Sequence, residues 1–455
     1  MNLAADMQRR DGLRILAVGA ALFLLLGLLL GRSSVDHVQD FTGVYYPARC
    51  LLFHNDPYNP AAMLRFYEQQ TGLDARNPHN LANLQVVTSQ VYLPTTFLLL
   101  APFALLPWKA AFALWTLVTA GCILLAVYLL GRLCSPGSPL LSGLLLALFL
   151  ATSTTLLSVG NPAGLVIGLS IIALWCFLRN RYAGLGVLCL AAALALKPHD
   201  VGFVWLCLLL FGSVYRKRAL QTLVVVLLLC IPSALWISSV SPHWTTELRA
   251  NLHTDGARGG TNDPGPTSVN IGGIDILVNL QTVFSVFRDD PHFYNLATYL
   301  LCGPLLLAWL LTALRGRHGE PQFWLALASI AALSMLPLYH RQHDAKLLLL
   351  TFPACFLLWT RRGIAGWIAL GLNAAFVLVN GDIPTLLRIR ILAPWLHTLR
   401  GFPNELFTVL LARPVSLLLI ATAVFYLWVY MRAALSKTEW PGAGSSSSTI
   451  PPHQV

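Results

Sequence analysis

The chain has 455 residues, of which 56% are hydrophobic and 11% charged, with a formal net charge of +11. Apolar runs of bilayer length, roughly 20 residues, recur along it, which excludes a soluble all-α protein, and the strict alternation of a β-barrel is missing. Positive charge in such a chain marks topology rather than affinity for nucleic acid.

Taken in order, residues 14–31 form a first span preceded by Arg9, Arg10 and Arg14, which favours a cytoplasmic N-terminus, 1–13. The segment is too long, and lacks the small-residue cleavage site, for a removable signal peptide. Basic clusters at Arg179/Arg181, Arg216-Lys217-Arg218, Arg315/Arg317 and Arg361/Arg362 then act as orientation marks, with Arg132 weaker. If all are cytoplasmic, spans lie near 109–131, 139–158, 163–178, 183–196, 201–215, 219–240, 293–314, 322–339, 345–360, 363–380 and 406–431. The expected architecture is an all-α polytopic bundle of about twelve transmembrane helices with both ends cytoplasmic.

Residues 91–107 are apolar enough to cross, yet a crossing there would invert every later loop. Pro94, Pro102 and Pro107 would also interrupt its hydrogen-bond ladder. The segment reads as a re-entrant or interfacial helix on the outer face. The outer loops are then 32–90, 241–291 and 381–405, with short turns at 159–162, 197–200 and 340–344; fifteen of the nineteen acidic residues fall on this side. Of nine cysteines only Cys50 lies in an outer loop, so no disulfide framework is indicated. The stretch Gly442–Ser448 is low-complexity and reads as part of a disordered tail, 433–455. No internal repeat of the kind common in transporters is present.

Polar residues gather at a few places. Asp40-Phe-Thr-Gly-Val-Tyr-Tyr-Pro47 follows the first span, and Asn55-Asp56-Pro57-Tyr58 comes soon after. A carboxylate at the membrane boundary requires a polar cavity, and the aromatic pair Tyr45 and Tyr46 offers stacking surface for a sugar. Lys197-Pro198-His199-Asp200 interrupts two apolar runs. It fits either a snorkelling lysine or an anion site at the N-terminus of the next helix. In Tyr339-His340-Arg341-Gln342-His343-Asp344, Arg341 can hold a phosphate bidentately and His340 or His343 can add a donor. An exposed turn, or a metal held by His340, His343 and Asp344, are the other readings, although the spacing matches no established zinc motif. Asn161, in the turn Gly160-Asn161-Pro162, is placed to reach a sugar hydroxyl. Asp36, Asp275 and the Asp289-Asp290 pair are further outer carboxylates, the pair being explained by helix capping. No Asp-x-Asp occurs, which argues against a metal-bridged nucleotide-sugar site.

Asp40-Phe-x-x-Val-Tyr-Tyr-x-Ala48, Asp56-Pro-Tyr58, Tyr92-x-Pro94, Pro102-Phe-Ala-Leu-Leu-Pro107, Leu196-Lys-Pro-His199 and Tyr339-His340 occur in that order. Each is weak alone, but the ordered set resembles glycosyltransferase family 87, the polyprenol-phosphate-mannose-dependent enzymes of the GT-C superfamily, over roughly residues 14–430. The resemblance implies a GT-C-like catalytic module over 14–240, a C-terminal membrane module over 292–432, and a catalytic Asp early in the first outer loop, here Asp40. It implies a multi-pass protein of the bacterial inner membrane with its site outside, taking a polyprenyl-phosphate sugar donor and a glycolipid or glycan acceptor. Where the family often has Gly-Gln this chain has Gly160-Asn161, and His54-Asn55 replaces the usual small residue before Asp-Pro-Tyr.

The chemistry follows from the residues. A polyprenyl-phosphate sugar carries its own leaving group, so the general acid of glycoside hydrolysis is unnecessary. A base for the acceptor hydroxyl is needed, and Asp40 suits it. Cations and donors for the phosphate are needed too, and Lys197, His199, His340 and Arg341 suit those. Tyr45, Tyr46, Tyr58, Tyr92, Asn161 and His343 are the candidate substrate contacts; neither metal nor cofactor is expected. Direct displacement at the anomeric carbon inverts it. Two rivals are a lipid-linked oligosaccharide ligase or polymerase, which would carry its groups on a large late loop, and a secondary transporter, which would show mid-membrane polar residues and repeats.

Overall fold

The computed structural model describes residues 3–33, 40–73, 81–134, 138–265, 277–316, 319–396 and 398–435. Asp36, Asp275 and the Gly442–Ser448 tail lie outside the described residues. The described chain is all-α. In order the helices are α1 (Leu3–Ser33), α2 (Thr42–Leu52), α3 (Pro60–Thr71), α4 (Leu81–Thr88), α5 (Pro94–Ala104), α6 (Trp108–Cys134), α7 (Pro139–Ala151), α8 (Thr155–Ser158), α9 (Pro162–Leu178), α10 (Ala183–Leu196) and α11 (Pro198–Leu210). They continue with α12 (Ser213–Val240), α13 (Trp244–Gly256), α14 (Gln281–Phe287), α15 (Pro291–Arg315), α16 (Glu320–Leu333), α17 (Phe352–Trp359), α18 (Ile364–Val379), α19 (Asp382–Leu387), α20 (Ala393–Leu396), α21 (Phe402–Phe407) and α22 (Pro414–Leu435).

Among the described residues, five helices are long and apolar enough to cross a membrane: those containing Asp6–Gly31, Trp108–Cys134, Val214–Val240, Pro291–Arg315 and Pro414–Leu435. A sixth is added if α18 and the helix after it, bent by 57°, form one broken span. The protein is therefore a multi-pass membrane protein, with further apolar helices of 10–17 residues packed among the long ones. Five or six helices meet the length of a full span, fewer than the twelve expected, because polar turns and prolines cut several apolar runs into the shorter helices. The run 139–158 breaks between α7 and α8, where Asp382 takes hydrogen bonds from the Thr154 hydroxyl and from the Thr155 amide and hydroxyl at 2.8–2.9 Å. The run 345–360 starts as a 3-10 helix, Asp344–Thr351, and becomes α17 only at Phe352-Pro353, where a proline suits a first turn.

Small residues set the closest helix contact. An ideal Cβ on Gly12 would stand 2.4 Å from the Pro139 carbonyl oxygen, and one on Gly143 would stand 2.4 Å from the carbonyl oxygen of Gly12. Gly19 meets Ala147 in the same way. The α1 and α7 backbones thus touch, the device by which membrane helices associate without a hydrophobic driving force.

The polar loops meet at one end of the bundle. Ser89 donates to Asp255 at 2.7 Å, Asn251 to the Tyr58 and Gln90 carbonyls, and Arg341 to Asn262 at 3.2 Å. Val278 N–H donates to the His340 carbonyl, aligning residues 277–280 with the loop after α16. Helix α5 has 11 residues and both its ends are tied here. The Thr95 hydroxyl donates to the carbonyl of Ala195 at 2.7 Å, and the Ala104 carbonyl accepts from Arg49 at 2.7 Å. At 1.5 Å per residue it spans about 16 Å, half a hydrocarbon core.

Candidate active site

Asp40 stands at the start of the first polar loop, and its position is set by the turn before α9. Phe41 N–H donates to the Val159 carbonyl at 3.3 Å. Gly160 has φ +70, and a Cβ there would come 2.8 Å from the Phe41 Cβ. Only glycine supplies both that backbone conformation and that clearance. The Phe41 ring then stacks on Trp115 at 5.1 Å, and Trp115 donates its indole N–H to the Gly160 carbonyl at 2.9 Å. Asn161 completes the mounting. Its Oδ1 accepts from Ala163 N–H at 2.8 Å, capping α9, which orients Nδ2 to donate to Asp40 Oδ2 at 2.7 Å. A residue expected to reach a sugar is thus holding the carboxylate in place.

Asp40 faces a cavity of about 130 Å³. Tyr92, Asn161, Lys197, His199, Arg341 and His343 share its wall, so seven of the eleven candidate site residues converge. They come from five separated stretches of chain.

Behind that wall lies a buried ion cluster. Lys197, only 4% exposed, bonds Asp344 Oδ1 and lies 3.2 Å from Asp200 Oδ2. Asp344 Oδ2 in turn accepts from Arg341 N–H at 2.8 Å. The lysine charge is therefore already balanced within the protein. The Arg341 side chain differs. Its guanidinium donates to the neutral Asn262 amide, lies 5.7 Å from the Tyr339 ring centre, and has no acceptor for Nε among the described residues. No carboxylate pairs with it there, so it is the cavity's available cation.

Burial favours the neutral form of the histidines. Burial pushes the His340 and His343 pKa values below the ordinary 6.5, against the opposing pull of Asp344. His340 is fully buried behind the cavity, its ring 5.3 Å from that of His199. Burial likewise raises the Tyr339 phenol to about 12, leaving it a hydrogen-bonding group only.

Tyr45, Tyr46 and Tyr58 do not line the cavity. Tyr45 donates to the Leu106 carbonyl at 2.7 Å and Tyr46 stacks on Trp108 at 5.4 Å, fastening α2 to the turn before α6. Tyr58 is buried and donates to the Tyr92 carbonyl at 2.6 Å, while Asp56 accepts from Tyr58 N–H at 2.9 Å to form the turn beneath it. In this structure their rings pack against the scaffold rather than the cavity.

Sequence reasoning passed over Gln85, Ser89, Asp255, Thr261 and Asn262, all of which line the cavity. The polar run Asp255–Asp263 was the only signal for the last three, and it reads equally well as a solvated loop. A second cavity, of about 390 Å³, adjoins the first across Asn262 and Tyr339, with Asn279, Gln281, Tyr294 and Asn295 on its wall.

In comparison with known proteins, residues 91–338, more than half of the chain, fit the family described as Glycosyltransferase family 87. No curated protein matches the chain, and no solved structure does.

Proposed function

The chain belongs to glycosyltransferase family 87, and from that premise we propose that it transfers a hexose from a polyprenyl-phosphate donor to a glycolipid or glycan acceptor. Mannose is the sugar the family resemblance favours, the outer membrane face is the side the charge asymmetry favours, and inversion is the outcome of a single displacement. The observation that carries this reading is the pairing of Asp40, mounted on Asn161, with Arg341 in one cavity. In the proposed reaction Asp40 accepts the proton of the acceptor hydroxyl as its oxygen attacks the anomeric carbon. The bond to the phosphate oxygen breaks, and Arg341 holds the departing phosphate. Such a phosphate is a weak base, so no acid need protonate it. His199 and His343 supply neutral hydrogen bonds beside it, and Lys197 sets the local field through Asp200 and Asp344.

The shorter apolar helices complete about twelve passes in this reading, with α5 lying at the outer interface against the prenyl chain. The second cavity, rich in amides and tyrosines, gives the acceptor a polar approach.

The test uses purified protein in lipid nanodiscs, labelled polyprenyl-phosphate mannose and a membrane extract as acceptor source. Asp40→Asn preserves shape and the amide contact but removes the base, and should slow transfer by about 10²–10⁴-fold with donor binding retained. Transfer by Asp40→Asn at the wild-type rate would refute the role of this carboxylate. Absence of transfer by the wild type from any polyprenyl-phosphate hexose would refute the donor class.

A further inference from the structure

We infer that His199, Asp200 and His340 form a binding site for a divalent transition-metal ion at the edge of the cavity. Their ligand atoms all lie within 4.8 Å of one another. His199 Nε2 is 3.2 Å and His340 Nε2 3.6 Å from Asp200 Oδ1. Two ligands held about 2.0–2.1 Å from a tetrahedral ion stand roughly 3.3–3.4 Å apart, so both separations fit coordination edges. His199 Nε2, Asp200 Oδ1 and His340 Nε2 are buried atoms without a hydrogen-bond partner among the described residues, while Asp200 Oδ2 faces the Lys197 ammonium at 3.2 Å. Asp200 and His340 are each at most 1% exposed.

The His340 tautomer sharpens the argument. Its Nδ1 lies 3.3 Å from the Leu338 carbonyl oxygen, which can only accept, so Nδ1 donates there and Nε2 is the nitrogen turned to Asp200. Nε2 then faces Asp200 Oδ1 at 3.6 Å, a position where one shared cation, a proton or a metal ion, joins the two. A carbonyl fixing one ring nitrogen so that the other binds an ion is the usual support for a metal-bound histidine. Two imidazoles and one carboxylate suit zinc, cobalt or manganese and leave positions open for an outside ligand.

Charge balance points the same way. The cavity wall carries three carboxylates, Asp40, Asp255 and Asp344, against two cations, Lys197 and Arg341, and Asp200 stands directly behind it. An anionic group entering that cavity meets a deficit of positive charge, which a divalent ion next to His199 removes. That role beside the donor phosphate rests on the function proposed above; binding of the ion does not.

The experiment measures metal alone. Protein without a polyhistidine tag, in nanodiscs and stripped with chelator, is titrated with Co²⁺ while visible absorption is recorded, and bound metal is counted by elemental analysis. Wild type should take up one equivalent with the absorption of a four- or five-coordinate site. Asp200→Asn and His199→Gln should each weaken binding at least 100-fold, and His199 is partly exposed, so its variant keeps the fold. Uptake by the stripped wild type no greater than by His199→Gln would overturn the site, as would unchanged affinity in both variants. Glycosyl transfer is assayed separately: transfer persisting in chelator alongside absent cobalt binding removes the metal and leaves the enzyme reading standing. One-equivalent binding without transfer does the opposite.

Discussion

Replacing Lys197 by Met separates two roles open to that residue, phosphate ligand or internal counter-ion. Lys197 is 4% exposed, bonded to Asp344 and 3.2 Å from Asp200. At that separation an effective dielectric of about 20 gives an attraction of about 5 kcal/mol for the Asp200 pair. Desolvation offsets much of this in the folded protein, but removing one partner leaves buried charge uncompensated and costs about 3–5 kcal/mol. Lys197→Met should therefore lower the melting temperature in nanodiscs by roughly 5 °C or more. Asp344→Asn and the double variant complete a cycle, read by thermal unfolding in the same nanodiscs. The singles should each destabilise, and the double should be far less damaged than their sum, with a coupling of about 2 kcal/mol or more. Additivity within about 0.5 kcal/mol, with donor binding lost in Lys197→Met alone, would refute the counter-ion argument and return Lys197 to the phosphate.

Arg341→Ala should leave the melting temperature near wild type and raise the donor KM or lower turnover about tenfold or more, worth ~1.4 kcal/mol; Arg341→Lys should restore only part, since a point charge cannot bind two oxygens in the plane of a guanidinium. Asn161→Ser retains a capping oxygen for α9 but loses the amide donor to Asp40, a charge-assisted bond of about 1.5–3 kcal/mol, so transfer should fall about 10–100-fold with little change in stability; equal transfer rates would show that Asp40 needs no such support. His343 should make the fold acid-sensitive. Its folded pKa lies below the ordinary 6.5 because burial favours the neutral ring, so below pH 6.5 the unfolded chain takes up a proton that the folded one does not. Stability from this group is full above pH 6.5 and is lost as pH falls from there toward the folded value. His343→Gln should flatten that part of the unfolding profile, and an unaltered slope would contradict it.

Some of this was legible in the residue order. Apolar runs of bilayer length require helices, because a lipid-exposed backbone must satisfy its own hydrogen bonds, and α9, α10 and α15 begin and end within a residue or two of the expected limits. The motifs around Asp40, Lys197 and His340 marked residues that lie far apart in sequence and together in the fold. What local pattern left open was partnership. Nothing near Lys197 in sequence foretells Asp344, 147 residues away, and nothing near Asp40 foretells that Asn161 donates to it. Tyr45, Tyr46 and Tyr58 looked like binding aromatics because a ring's chemistry is the same in a pocket or a core; only the arrival of Leu106, Trp108 and the Tyr92 carbonyl made them scaffold. The break after α7 was equally hidden, since its cause, Asp382, arrives from the far end of α18. Periodicity and hydropathy are properties of a segment and determine its class, whereas the state of a buried charge depends on which distant group meets it, and that is decided when the chain closes on itself.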